Sequence, residues 1–166
     1  MQPVQVIDYA IQMEKDGELF YRQCAASTAD KGVAGILRRL ADAEIVHAKV
    51  LQGIKDQRKA VLPKDTIQGD MKNLFRELID SKAVFGGEAS ELALYRKAFD
   101  MELQAKAFYE NSAAKAATPE GRDLFLRLAK EEELHMAFID SIIGFVGRAE
   151  PGQWLENAEW FHQEDY

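Results

Sequence analysis

Glu132-Glu133-Leu134-His135 decides how this sequence is read, because Glu44-Ile45-Val46-His47 anticipates it 88 positions earlier. Both read Glu-x-x-His. On an α-helix, residues three apart share nearly one face and sit one turn apart. A carboxylate and an imidazole so spaced can grip one metal ion from one helix. A single copy is a weak signal, since a solvated Glu beside a partly buried His has the same spacing. The surroundings change that weighting. Glu14 precedes Glu44 by 30 residues, and Glu102 precedes Glu132 by 30. Met13-Glu14 matches Met101-Glu102, Phe20-Tyr21 matches Phe108-Tyr109, and Arg39-Leu40-Ala41 matches Arg127-Leu128-Ala129 at the same offset. An ungapped self-match that keeps every candidate ligand indicates an internal duplication.

Around these stretches the apolar spacing is helical. Pro3 suits the first turn of a helix that runs to about Ser27. After the short turn Thr28 to Gly32, with Asp30 as its N-cap, a second helix reaches about Asp56. So short a turn makes these two helices antiparallel neighbours. A third helix is expected from about Ala89 to Ala116, and a fourth from Pro119, capped by Thr118, to about Gly147. Residues 57–87 have no repeat partner and hold Pro63, Gly69, Gly86 and Gly87, with a short helix expected near 71–82. A connector this long is expected to let helix three start at the same end as helix one. The chain is thus all-α: a four-helix bundle over residues 1–147, with a long crossover between helices two and three. Residues 148–166 form a tail with Trp154, Trp160 and Phe161, expected to pack on the bundle or on a partner subunit.

Composition bounds the function. A length of 166 residues with 47% hydrophobic content is enough for one domain with a sizeable core. The net charge of −7 argues against a nucleic-acid surface and against an anionic membrane. Cys24 is the single cysteine, so there is no intrachain disulfide and no Cys-x-x-Cys site, and it reads as a small core residue. Charges through Met1 to Tyr21 argue against a signal peptide, and the run Met136 to Val146 is too short to span a bilayer. A cytoplasmic location is the expectation.

On these helices Glu14, Glu44, His47, Glu102, Glu132 and His135 can all meet at one level inside the bundle. Four carboxylates and two imidazoles give two ions a hard, oxygen-rich, pseudo-symmetric site. Two bridging carboxylates and one Glu–His pair per ion leave positions open for water, oxygen or peroxide. Without cations, burying four carboxylates is prohibitive. The donors suit iron or manganese better than zinc.

These motifs carry a family resemblance. Met-Glu-x5-Phe-Tyr twice and Glu-x-x-His twice make the chain resemble the ferritin-like superfamily, and within it the rubrerythrin-type di-iron domain. The resemblance covers about residues 4–147. It implies an antiparallel ferritin-like bundle with a crossover, and a carboxylate-bridged pair of iron ions held by the same six residues. It also implies reduction of peroxide or dioxygen, a part in oxidative-stress defence, and a homodimer. Two departures matter. The rubredoxin module, with its four cysteines, is absent, so electrons are expected from a separate donor such as a rubredoxin-like or flavin protein. The further carboxylate one turn beyond the third-helix Glu is replaced by Ala105. What remains is also similar to the ferroxidase centre of bacterioferritin-like chains. An iron-storage protein and a non-catalytic metal-binding sensor are therefore the alternatives to an enzyme.

Tyr21 and Tyr109 lie seven residues after Glu14 and Glu102. They read either as core aromatics with satisfied hydroxyls or as residues whose hydroxyl orients a ligand carboxylate. Glu18, one turn from Glu14, has Lys106 at its repeat position and reads as a solvated or gating residue. His162, in the tail, is expected to be hydrogen-bonded or exposed rather than a ligand.

Overall fold

Four long helices follow from the pattern: α1 (Pro3–Ser27), α2 (Lys31–Lys55), α3 (Ala89–Ala114) and α4 (Pro119–Val146). The computed structural model describes residues 3–56 and 89–147. The helix expected near 71–82 and the aromatic tail at 148–166 lie outside the described residues.

Local chemistry sets the helix starts. Asp30 caps α2, its Oδ1 accepting from the Val33 N–H at 2.8 Å. Thr118 caps α4, its hydroxyl accepting from the Gly121 N–H at 3.1 Å, with Pro119 following in the first turn. Both caps close short turns, so α1–α2 and α3–α4 form two antiparallel hairpins. The hairpins then face each other, α1 against α3 and α2 against α4.

Cross-hairpin contacts fix the directions. Tyr21 meets Glu102 while Tyr109 meets Glu14, so α1 and α3 run antiparallel. His135 meets Glu44 while His47 meets Glu132, so α2 and α4 do too. Every neighbouring pair is antiparallel, as in a ferritin-like bundle. The expectation that helix three starts at the same end as helix one is corrected here. Lys55 ends α2 beside Asp8, near the start of α1. Lys97, early in α3, lies instead over Phe20, near the end of α1. A short loop after α2 would already have begun helix three at the start of α1. The long connection is what reaches the opposite end, about 38 Å away for a 25-residue helix.

The duplication becomes a pseudo-two-fold axis across the bundle, exchanging α1 with α3 and α2 with α4. Two apolar clusters flank it. One gathers Tyr21, Cys24, Ile36, Leu37, Leu40, Tyr95, Ile139 and Ile142. The other gathers Ile11, Val50, Leu51, Tyr109, Phe125 and Leu128. Leu40 and Leu128 are repeat partners, each fully buried, one in each cluster. Cys24 is a buried core residue, as its composition suggested.

Equivalent burial predicts equivalent cost. Leu40→Ala and Leu128→Ala should each destabilise the fold by about 2–5 kcal/mol. Urea unfolding of the two variants should give losses that differ little from one another.

Candidate metal centre

Between the two apolar clusters lies a layer of buried polar residues. Glu14, Glu44, His47, Glu102, Glu132 and His135 are all at most 4% exposed. The structure therefore brings all six sequence-predicted residues together. Each enters from the inward stripe of its helix, and the antiparallel hairpins place the six at one level.

The oxygen and nitrogen atoms form two overlapping groups. Glu14, Glu44, His47 and Glu132 each offer one donor atom within 4.8 Å of the others, and so do Glu44, Glu102, Glu132 and His135. Glu44 and Glu132 belong to both. The Glu of each Glu-x-x-His motif is thus the shared carboxylate, and the Glu of α1 or α3 belongs to one group alone. Both imidazoles aim Nδ1 into the layer. His47 Nδ1 lies 3.2 Å from Glu14 and 3.3 Å from Glu132. His135 Nδ1 lies 3.0 Å from Glu44 and 3.2 Å from Glu102. The rings stack 5.4 Å apart.

The layer is incomplete as protein alone. Glu44 Oε1 and both Glu132 oxygens are buried with no well-aligned hydrogen-bond donor, and each has only an imidazole Nδ1 at 3.0–3.3 Å as an ion-pair neighbour. Orphaned carboxylate oxygens carry a large desolvation cost, and a cation facing them removes it. They belong to the two carboxylates common to both groups, which could hold metal. His47 Nε2 and His135 Nε2, turned away from the layer, also have no partner among the described residues.

In the absence of cations, protons do the neutralising. Burial, then the charges of Glu44 and Glu132, hold Glu14 well above the usual carboxylate range. Burial and the Glu44 charge push Glu102 up to about 8. Burial opposes charge on Glu44 as well, but the hydrogen bond from Glu14 and then His135 outweigh it, holding Glu44 well below the ordinary value. Glu132 is also lowered, by His47 and His135 against burial and the Glu44 charge. Burial likewise disfavours imidazolium, yet the surrounding carboxylates raise both His47 and His135 well above theirs.

Tyr21 and Tyr109 are buried core aromatics whose hydroxyls touch ligand candidates. Each reaches across to the other hairpin. The Tyr21 hydroxyl donates to Glu102 Oε1, and the Tyr109 hydroxyl donates to Glu14 Oε1. Burial and the neighbouring carboxylates raise both phenols, so they stay protonated donors. Glu18 lies outside both groups and pairs with Arg22 at 3.0 Å on the surface. Ala105 is buried at the layer. Gly17, its repeat partner, lines one cavity with Glu44, and nothing in the sequence pattern marks it out beyond its position one turn after Glu14.

A family model described as Rubrerythrin matches residues 5–73 and 94–160. The chain belongs to the rubrerythrin family. The two matched stretches sit almost one repeat apart, so each carries one hairpin and one Glu-x-x-His. Neither a curated protein nor a solved structure matches the chain. Members of this family typically bind iron, and the buried Glu and His groups can hold metal. The 166 residues contain no four-cysteine iron site of the rubredoxin kind. No described helix is long and apolar enough to cross a membrane.

The proton inventory predicts how the metal-free protein responds to pH. Glu14, Glu102 and both imidazoles bind protons more tightly folded than unfolded. Their contribution to stability is therefore lost as pH rises: for Glu102 between 4.5 and about 8, and for the imidazoles from 6.5 upward. Glu44 and Glu132, held low, act oppositely and lose stability only in acid. The metal-free chain should melt at falling temperature as pH rises from about 5 through about 8, whereas a metal-loaded chain should change little. Calorimetry of both forms across that range checks this.

Proposed function

We propose that this protein is a non-haem di-iron oxidoreductase that reduces hydrogen peroxide or dioxygen with electrons from a separate donor protein. The observation that carries this reading is the overlap of two four-residue groups through Glu44 and Glu132. In this assignment Glu14 and His47 complete one ion position, and Glu102 and His135 complete the other. Iron fits the donor set and the family, and manganese shares its ligand preferences. When bound there, two adjacent redox-active ions would supply the two electrons that cleavage of a peroxide O–O bond takes up.

The chain's own residues do the rest. Tyr21 and Tyr109 hold Glu102 and Glu14 in place by hydrogen bonds from the opposite hairpin, which limits the reorganisation open to these carboxylates. Both phenols keep a proton at Oη beside the carboxylate oxygens. The two apolar clusters exclude bulk water from above and below the layer. With no four-cysteine site and no glycine-rich dinucleotide fingerprint in the sequence, electrons come from outside this chain. A rubredoxin-like or flavin protein is the proposed donor. A homodimer in the cytoplasm is the proposed state.

A ferroxidase in an iron-storage particle is the second reading. What favours it is Ala105, a buried methyl where a further carboxylate would make a seventh ligand. Particle size separates the two, since storage requires a large closed assembly and the oxidoreductase does not.

Reconstitution with ferrous iron should give about two ions per chain, and His47→Ala and His135→Ala should each weaken uptake by about tenfold or more. One ion or none in the unmodified protein would sink the assignment. Steady-state reduction of peroxide should be slow with a nicotinamide cofactor alone and should rise when a rubredoxin-like or flavin donor is added. Rapid turnover by the pure chain with the cofactor would show that the external donor is wrong.

A further inference from the structure

A cavity of about 30 Å³ between α1 and α3 reaches the carboxylate layer, and it is skewed toward one half of the duplicated site. Three repeat pairs line it: Met13 with Met101, Glu14 with Glu102, and Gly17 with Ala105. The rest of the lining breaks the symmetry. Glu44, Phe20 and Tyr21 belong to the cavity, while their repeat partners Glu132, Phe108 and Tyr109 do not. The open side is the side on which glycine replaces alanine.

Backbone conformation gives no reason for that glycine. Gly17 lies inside α1, and its φ is outside the left-handed region. Glycine in a helix interior is destabilising relative to alanine. A Cβ added at Gly17 would lie 3.5 Å from Glu44 Cδ and 3.8 Å from its Oε2, which is ordinary contact. Alanine therefore fits, and its methyl group would occupy the space against Glu44. The cavity has roughly the room of one or two water-sized molecules, so a single methyl is of the same order as the whole space. Glu44 is one of the two carboxylates common to both ion positions.

We propose that Gly17 is the specificity-determining residue of this centre: it opens a pocket beside Glu44 that admits a two- or three-atom anion or neutral ligand of the peroxide or azide class. The proposal rests on the two-ion reading above. Half-buried Met13 and Met101 give the pocket an apolar rim. Three buried carboxylates at its floor favour a ligand that can lie on an ion over one that must be solvated. Ala105, carrying the methyl that Gly17 lacks, keeps the other side narrower.

The experiment loads the unmodified chain, Gly17→Ala and Ala105→Gly with cobalt(II), counts ions, titrates azide by the visible spectrum, and melts each metal-free protein. All three should hold the same number of ions. Gly17→Ala should bind azide about tenfold more weakly or worse, the scale of one methyl forced into a filled pocket. It should nonetheless melt about 2 °C higher without metal, as a helix-interior glycine replaced by alanine should. Ala105→Gly should bind azide no more weakly and melt lower. Unchanged azide affinity in fully loaded Gly17→Ala overturns the proposal. So does loss of metal in that variant alone, because Gly17 would then serve the ligand carboxylate and not access to it. If the unmodified chain takes up no metal, the two-ion reading falls, and the pocket's role falls with it.

Discussion

Four carboxylates share one dry layer, and the rest of the bundle answers to that constraint. Charge of one sign cannot be buried at such density without compensation. Two imidazoles turn Nδ1 into the layer, two phenols donate to it, and Glu14 and Glu102 are driven toward their protonated forms. Even so, three carboxylate oxygens have an imidazole within ion-pair distance but no well-aligned hydrogen-bond donor. Four protons and two divalent cations carry the same charge, so on the proposed two-ion reading metal would replace protons in this layer with no change in its net charge. That equivalence explains how one set of side chains is compatible with a folded metal-free chain and with a loaded one.

Division of labour within the layer follows from topology. The helices that carry Glu-x-x-His supply the two shared carboxylates, and α1 and α3 supply the unshared ones. Because α2 packs on α4 in antiparallel register, each shared carboxylate comes close to the imidazole of the opposite hairpin. The stabilising apolar residues are kept in two separate clusters on either side. The centre is thus bounded by packed core above and below and by a narrow gap between α1 and α3 at its side.

Much of this was legible in the sequence. The six ligand candidates could be named because acid and imidazole recur at one helical spacing and at one long offset, a coincidence that helix composition alone does not produce. The caps at Asp30 and Thr118 were legible because they are local, set by residues three apart. Which carboxylates are shared was not legible, since spacing along one helix says nothing about the helix opposite. The tyrosines illustrate the same limit: position suggested help to a ligand, but their true partners lie 81 and 95 residues away in sequence. Helix three was assigned to the wrong end for a topological reason. Connector length alone does not say which end helix three starts from, because α2 has already returned the chain to the start of α1. Gly17 is not legible because a glycine carries no chemistry of its own, and the space it leaves is defined largely by residues on other helices.

The crossed hydrogen bonds of Tyr21 and Tyr109 have a bearing on ancestry. Each tyrosine stands in one repeat and serves a carboxylate of the other. A lone hairpin would hold a phenol with nothing to bind and half of a ligand set, while two copies face to face supply both. With both copies in one polypeptide that encounter is intramolecular. A single chain also frees the halves from identity. Two separate copies of one gene product must change together, but here a methyl can be absent at residue 17 and present at residue 105. A symmetric shell has thereby become able to treat its two faces differently.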